Sequence, residues 1–206
     1  MINSRAIKIF RTEKQFRVEI RFLKRDFVFY AGKAPLTITF GITNETKDNY
    51  FIPFIDYDNI YFEKVLKDVK HIQAVFDLSD FIVLKTEEEK DEQGREFGNY
   101  HCICFDKCTF QEILEILSHT RCDPNYRRAW KFYKSKNWVL RIEKKYYSRK
   151  AKDEPKLKCI IPNKPRIPRK CSYAHYLALS KWYSLPKLNL EWDGITECEL
   201  IQYNTV

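Results

Sequence analysis

Hydrophobic and polar positions alternate along the first stretch of the chain. Phe16, Val18, Ile20 and Phe22 fall on one face, with Arg17, Glu19 and Arg21 on the other, which is the period of a strand. The runs 27–30 and 36–40, separated by Gly32 and Pro35, predict two more strands. Residues 44–49 form a polar loop. From Tyr50 to Tyr57 an apolar run closes in acids and predicts a strand. Residues 61–78 switch to helical spacing at Phe62, Val65, Leu66, Val69, Ile72 and Phe76. Phe81 to Leu84 predicts a buried strand, Glu87 to Arg95 a charged loop, and Tyr100 to Phe105 another strand. Thr109 predicts a helix start, with Glu112 placed to complete a capping box. After Pro124, residues 126–136 predict a short basic helix and residues 138–142 a strand. Residues 148–170, rich in Lys and Pro, read as a loop or extended arm. Ser172 to Leu185 predicts a helix, and the tail from Leu188 short strands.

The central order is β-α-β-β-α, a basic element, then β. That is close to the split β-α-β, ferredoxin-like arrangement. The expected class is therefore α+β, a ferredoxin-like sheet preceded by an N-terminal β-rich lobe. The expected divisions are 1–49 for that lobe, 50–147 for a core, and 148–206 for the basic arm, a helix and short strands, all in one compact unit.

Charge sharpens this picture. The 206 residues carry a formal net charge of +9. Residues 127–170 hold 17 Lys or Arg against three acids, which leaves +14 there and −5 on the rest. A basic block beside an acidic remainder suits a polyanion, and nucleic acid is the commonest one. The aromatic residues Tyr126, Trp130, Phe132, Tyr133, Trp138, Tyr146 and Tyr147 interleave with these charges, and bases can stack on such rings. A solvated lysine-rich surface is the plainer alternative. With 44% hydrophobic residues the chain can bury a core, which excludes wholesale disorder. No G-x-G-x-x-G or G-x-x-x-x-G-K-[ST] pattern occurs, so dinucleotide and P-loop folds lose their main support.

Seven cysteines, an odd number, follow a start without a secretory signal. These features lead us to expect reduced thiols and an intracellular, cytoplasmic location. No apolar run is long enough to span a membrane. Cys102, Cys104 and Cys108 invite a structural zinc reading, but no matching C-x2-C pair exists and buried thiols are the default.

The most informative cluster is Asp56-Tyr57-Asp58. Two acids at i, i+2 on a strand share a face. Held that close they repel, unless a cation sits between them. A D-x-D alone is more often the mark of a solvated turn. His101 opens a neighbouring strand just after a Gly-bearing loop, where a side chain would lie on the sheet rim. On residues 138–145, alternation places Arg141, Glu143 and Lys145 on one face. A solvated edge strand would read the same way.

These pieces, in this order, resemble the archaeo-eukaryotic primase superfamily, the catalytic fold of primases and primase-polymerases. The match covers roughly residues 50–147. It consists of a strand ending in D-x-D, a helix and a strand, a strand opening with a small-x-His motif (Asn99-Tyr100-His101), then a helix and a late apolar strand (Leu140-Arg141-Ile142-Glu143). Asn99 stands where Ser is usual. The resemblance implies an RRM-like catalytic sheet. It implies template-directed nucleotidyl transfer in DNA replication, of the kind found in mobile elements, viruses and plasmids. Asp56, Asp58 and a third acid would hold two Mg²⁺ or Mn²⁺ ions. The third acid is either Glu143 on the strand or Asp123 in the loop before Pro124. His101, Arg141 and Lys145 would bind the nucleotide triphosphate, an NTP or dNTP. Arg127, Arg128, Lys131, Lys134, Lys144, Arg149 and Lys150 would contact a single-stranded DNA template. A helicase would have to come from a separate partner. The rival expectations are a metal-dependent nuclease and a non-catalytic nucleic-acid-binding subunit that keeps the fold.

Overall fold

The computed structural model describes residues 16–22, 25–31, 37–133, 138–141, 155–198 and 200–205. Its architecture is α+β, built from antiparallel sheets and helices. In chain order the elements are β1 (Phe16–Phe22), β2 (Arg25–Ala31), β3 (Thr37–Thr43), β4 (Phe54–Tyr61), α1 (Phe62–Phe76), β5 (Phe81–Lys90), β6 (Glu96–Cys104), α2 (Phe110–Ser118), α3 (Pro124–Tyr133), β7 (Val139–Arg141), β8 (Lys156–Ile161), α4 (Tyr173–Tyr183) and β9 (Leu200–Thr205).

Three sheets result. β1 and β2 form a hairpin, β3 lies between β7 and β9, and the four-stranded sheet runs β4-β6-β5-β8. Within the last, β4 and β5 run parallel with β6 antiparallel between them, and α1 connects the parallel pair. The late strand β7, expected to follow the basic helix, pairs with β3 instead of joining this sheet.

The four-stranded sheet is the middle layer. Alternation along β4 sends Ile55 and Tyr57 to one face and Phe54 to the other. On the first face they pack with Val65, Val69 and Ile72 of α1 and Ile113, Ile116 and Leu117 of α2. On the second, Phe54, Ile82, Leu84 and Ile103 pack with Ile42 of β3, Leu140 of β7 and Leu179 of α4. Each large aliphatic side chain buried this way contributes about 1.5–3 kcal/mol. Buried polar groups tie the layers at fixed points. The Gln73 amide donates to the carbonyls of Ser79 and Ile161 at 2.9 and 3.0 Å. Asp68 on α1 accepts the Arg121 N–H at 2.7 Å.

The elements depart from the sequence expectation in four places. β6, expected from Tyr100, begins at Glu96, so Gly98 belongs to the strand and His101 lies inside it rather than at its opening. β4 does not end at the acids but continues to Tyr61. β5 runs on through Glu87, Glu88 and Glu89, which were expected to lie in a loop. Their local charge density is offset from a distance, because Lys158 of β8 forms ion pairs with Glu88 and Glu96, and Lys85 pairs with Glu88. Burial opposes ionisation of Glu88, yet these two ammonium groups hold its carboxyl below the usual range. The Lys- and Pro-rich arm contains β8, where Ile161 is buried opposite Phe81. The hairpin between β5 and β6 turns at residues 91–95. There the Asp91 carboxylate accepts the N–H groups of Gln93 and Arg95, and Gly94 takes a φ of +75°.

Candidate functional site

On the β4 face opposite α1, apolar cover gives out beyond Phe54, and the next outward residue is Asp56. Its partner across the ladder is His101. The imidazole Nε2 lies 3.4 Å from Asp56 Oδ1. The carboxylate side chain is 28% exposed and the imidazole 9%, so the pair sits at a rim, with the acid wet and the base recessed. His101 Nδ1 is buried and has no hydrogen-bond partner among the described residues. Such an atom ordinarily has a partner, protein or water. Asp58 follows two residues along β4 and is exposed.

The edge of β4 away from His101 is closed by the segment that starts α3. The Asp123 N–H donates to the Asp56 carbonyl at 2.8 Å, and the Tyr126 hydroxyl donates to the Phe54 carbonyl at 3.0 Å. The Asp123 carboxylate accepts the N–H groups of Asn125 and Tyr126, so it serves as the N-cap of α3 ahead of Pro124. Burial, with the Asp56 charge as a second cause, pushes the Tyr126 phenol well above its usual range, which keeps this donor protonated. Asp68 holds the preceding residue pair through Arg121 N–H. Asp123 is therefore beside Asp56 in the backbone, while its carboxylate caps the helix.

Arg127 and Arg128 follow on α3, half-buried and exposed respectively, and Lys131 lies on the same helix. Arg141 stands in β7 opposite Gly41. β7 is tied to this region because Trp138 Nε1 donates to the Tyr126 carbonyl at 2.9 Å, and Leu140 packs with Phe54. Lys134, Glu143, Lys144, Lys145, Arg149 and Lys150 lie outside the described residues. Of the candidate site residues, the fold thus sets His101 beside Asp56 and ties the Asp123 backbone to the Asp56 carbonyl, with Asp58 two residues along β4 and the start of basic α3 alongside.

Two carboxylates on one strand offer hard oxygen donors of the kind Mg²⁺ and Mn²⁺ prefer. The chemistry of that donor pair suits such an ion. Among the described residues no group of three or more His, Cys, Asp and Glu side chains gathers at metal-binding range, so Asp56 and Asp58 would need Glu143 or a moved Asp123 to complete a three-acid site. Cys102, Cys104 and Cys108 are buried in the α1–α2 face of the core. Burial pushes all three thiols up, Cys108 to about 12, which favours the protonated form over a zinc-binding thiolate.

Sequence reasoning missed a neighbouring trio. Asn99 stands where Ser is usual, and its links are not legible in the local spacing. Its Oδ1 accepts the Asn59 N–H at 2.7 Å, and its Nδ2 donates to Glu87 Oε2 at 3.1 Å. Register irregularities on both flanking strands hide these contacts from alternation. Among the described residues no helix is long and apolar enough to cross a membrane. Compared with protein-family models, curated proteins and solved structures, the chain matches none of them.

Proposed function

We propose that the chain is a primase-polymerase-like nucleotidyltransferase that copies a single-stranded DNA template using NTPs or dNTPs. The observation that carries this reading is the register of Asp56 opposite His101 on adjacent strands, with Asp58 two residues beyond. The β4-α1-β5 crossover with β6 inserted supports an RRM-like catalytic sheet of the archaeo-eukaryotic primase kind.

In this reading Asp56 and Asp58, with Glu143 or Asp123, hold Mg²⁺ or Mn²⁺. When bound, the ions supply charge neutralisation of the triphosphate and acidify the attacking hydroxyl. His101 presents a recessed imidazole to a phosphate oxygen, and its contact with Asp56 fixes the ring. Arg141 and Lys145 would add charge to the triphosphate contact. The Arg127–Arg128–Lys131 helix, which begins against β4, would receive template phosphates. Lys134, Lys144, Arg149 and Lys150 would extend that track.

The test is extension of a primed template with labelled dNTPs and Mn²⁺. Asp56→Ala and Asp58→Ala each abolish incorporation while single-stranded DNA still binds. Shortening of the labelled strand by the native chain would replace this reading with a nuclease. Unchanged function in both variants would leave only a nucleic-acid-binding role.

A further inference from the structure

We infer that Asn99 is a positioning residue: its side-chain amide locks the β-bulge that presents Asp58, and Glu87 locks the amide. The inference rests on the reading of Asp58 as a cation ligand.

Tyr57 is paired with Tyr100 and Ile60 with Gly98, so Asp58 and Asn59 together face the single residue Asn99. On the other side Lys85 is paired with Tyr100 and Glu87 with Asn99, so Thr86 is also an extra residue. The middle strand is regular, and both neighbours bulge at its Asn99 level. A bulge breaks the ladder locally and re-aims side chains. Asn59 adopts a left-handed φ of 52°, and its N–H goes to Asn99 Oδ1.

The chemistry fixes which way the amide points. An N–H can only donate and a carboxylate accepts, so Oδ1 must face Asn59 and Nδ2 must face Glu87. The Asn99 side chain is buried, where a lost partner is costly. A serine hydroxyl at this site is too short to reach both neighbours. An aspartate would set a second anion against Glu87. Without the clamp, regular pairing past Asn99 would turn Ile60, now buried with Ile55 and Tyr57, to the opposite face of the sheet and re-aim the strand at Asp58.

Mn²⁺ alone, titrated into the full chain and followed by electron paramagnetic resonance, tests this. Asn99→Ser is expected to weaken Mn²⁺ binding about tenfold, the usual loss for a group that orients a ligand. Glu87→Ala is expected to weaken it in the same direction by less. Raising Mn²⁺ should restore primer extension by Asn99→Ser, whereas it would leave a merely structural defect unrepaired. Native affinity in Asn99→Ser, with affinity lost in Asp58→Ala, overturns the clamp and leaves the catalytic reading standing. Native affinity in Asp58→Ala overturns both. Should Asn99→Ser fail to fold, native affinity in Glu87→Ala overturns the clamp.

Discussion

At Gly98 the backbone of β5 comes so close that a Cβ would lie 2.0 Å from the Glu87 carbonyl oxygen. No side-chain rotation relieves a clash with backbone, so either strand must shift. Gly98→Ala is expected to lower unfolding stability by about 2 kcal/mol or more, read from urea denaturation. His175 is a second residue with a readable consequence. Its Nε2 donates to the Thr43 carbonyl at 2.8 Å and its Nδ1 accepts from the Ser172 hydroxyl at 2.7 Å, so the neutral ring satisfies both partners. Burial pushes its pKa down to about 4. Above about pH 6.5 the ring is neutral in both folded and unfolded chains, and its full contribution to stability is present. As pH falls from there to about 4, the unfolded chain takes up a proton that the folded chain refuses. Stability is lost across that window by up to about 3 kcal/mol. Urea midpoints between pH 7 and 4 measure the slope, and His175→Gln should flatten it.

At the scale of elements, two helix starts are built from side chains. Thr109 accepts the Glu112 N–H while the Glu112 carboxylate accepts the Thr109 N–H, the reciprocal capping box expected from the sequence. Glu112 also pairs with Arg169 at 2.8 Å, which ties the arm to α2. Thr109→Ala should cost about 1 kcal/mol, measured by thermal or urea unfolding. The Asp123 cap has a wider consequence, because the same residue's N–H holds the edge of β4 at Asp56. Asp123→Ala should cost about 1 kcal/mol as a lost cap, again read from urea midpoints. If Asp123 only caps, primer extension in that variant stays close to native at temperatures where it is folded. Complete loss of incorporation in the folded variant would make Asp123 the third acid.

Across the whole molecule, charge is divided between an acidic hairpin and a basic stretch. The β5–β6 hairpin carries Glu87, Glu88, Glu89, Asp91, Glu92 and Glu96, and α3 begins on the far edge of β4. Lys85 and Arg95 on the hairpin and Lys158 of β8 offset part of that charge through ion pairs with Glu88, Asp91 and Glu96. Single-stranded DNA affinity should fall by about tenfold or more between 50 and 200 mM salt, as expected when several phosphate contacts release counterions. Fluorescence anisotropy against salt checks this, and Arg127→Ala with Arg128→Ala should make the dependence shallower.

The hydrophobic period determined the class and the central helices, the residues Thr109 and Glu112 the capping box, and the spacing of two acids on a strand the candidacy of Asp56 and Asp58, which the order of motifs extended to His101; each is read from residues close in sequence or from their order along the chain. Tertiary structure decided the rest. β5 persists through a run of acids because Lys158, distant in sequence, balances them. β7 joins β3 by register that no local pattern encodes. Asn99 gains its partners from two bulges, and a bulge breaks the very alternation from which strand faces are read. Local spacing nominates an acid and an imidazole, but only the pairing of β4 with β6 puts them side by side.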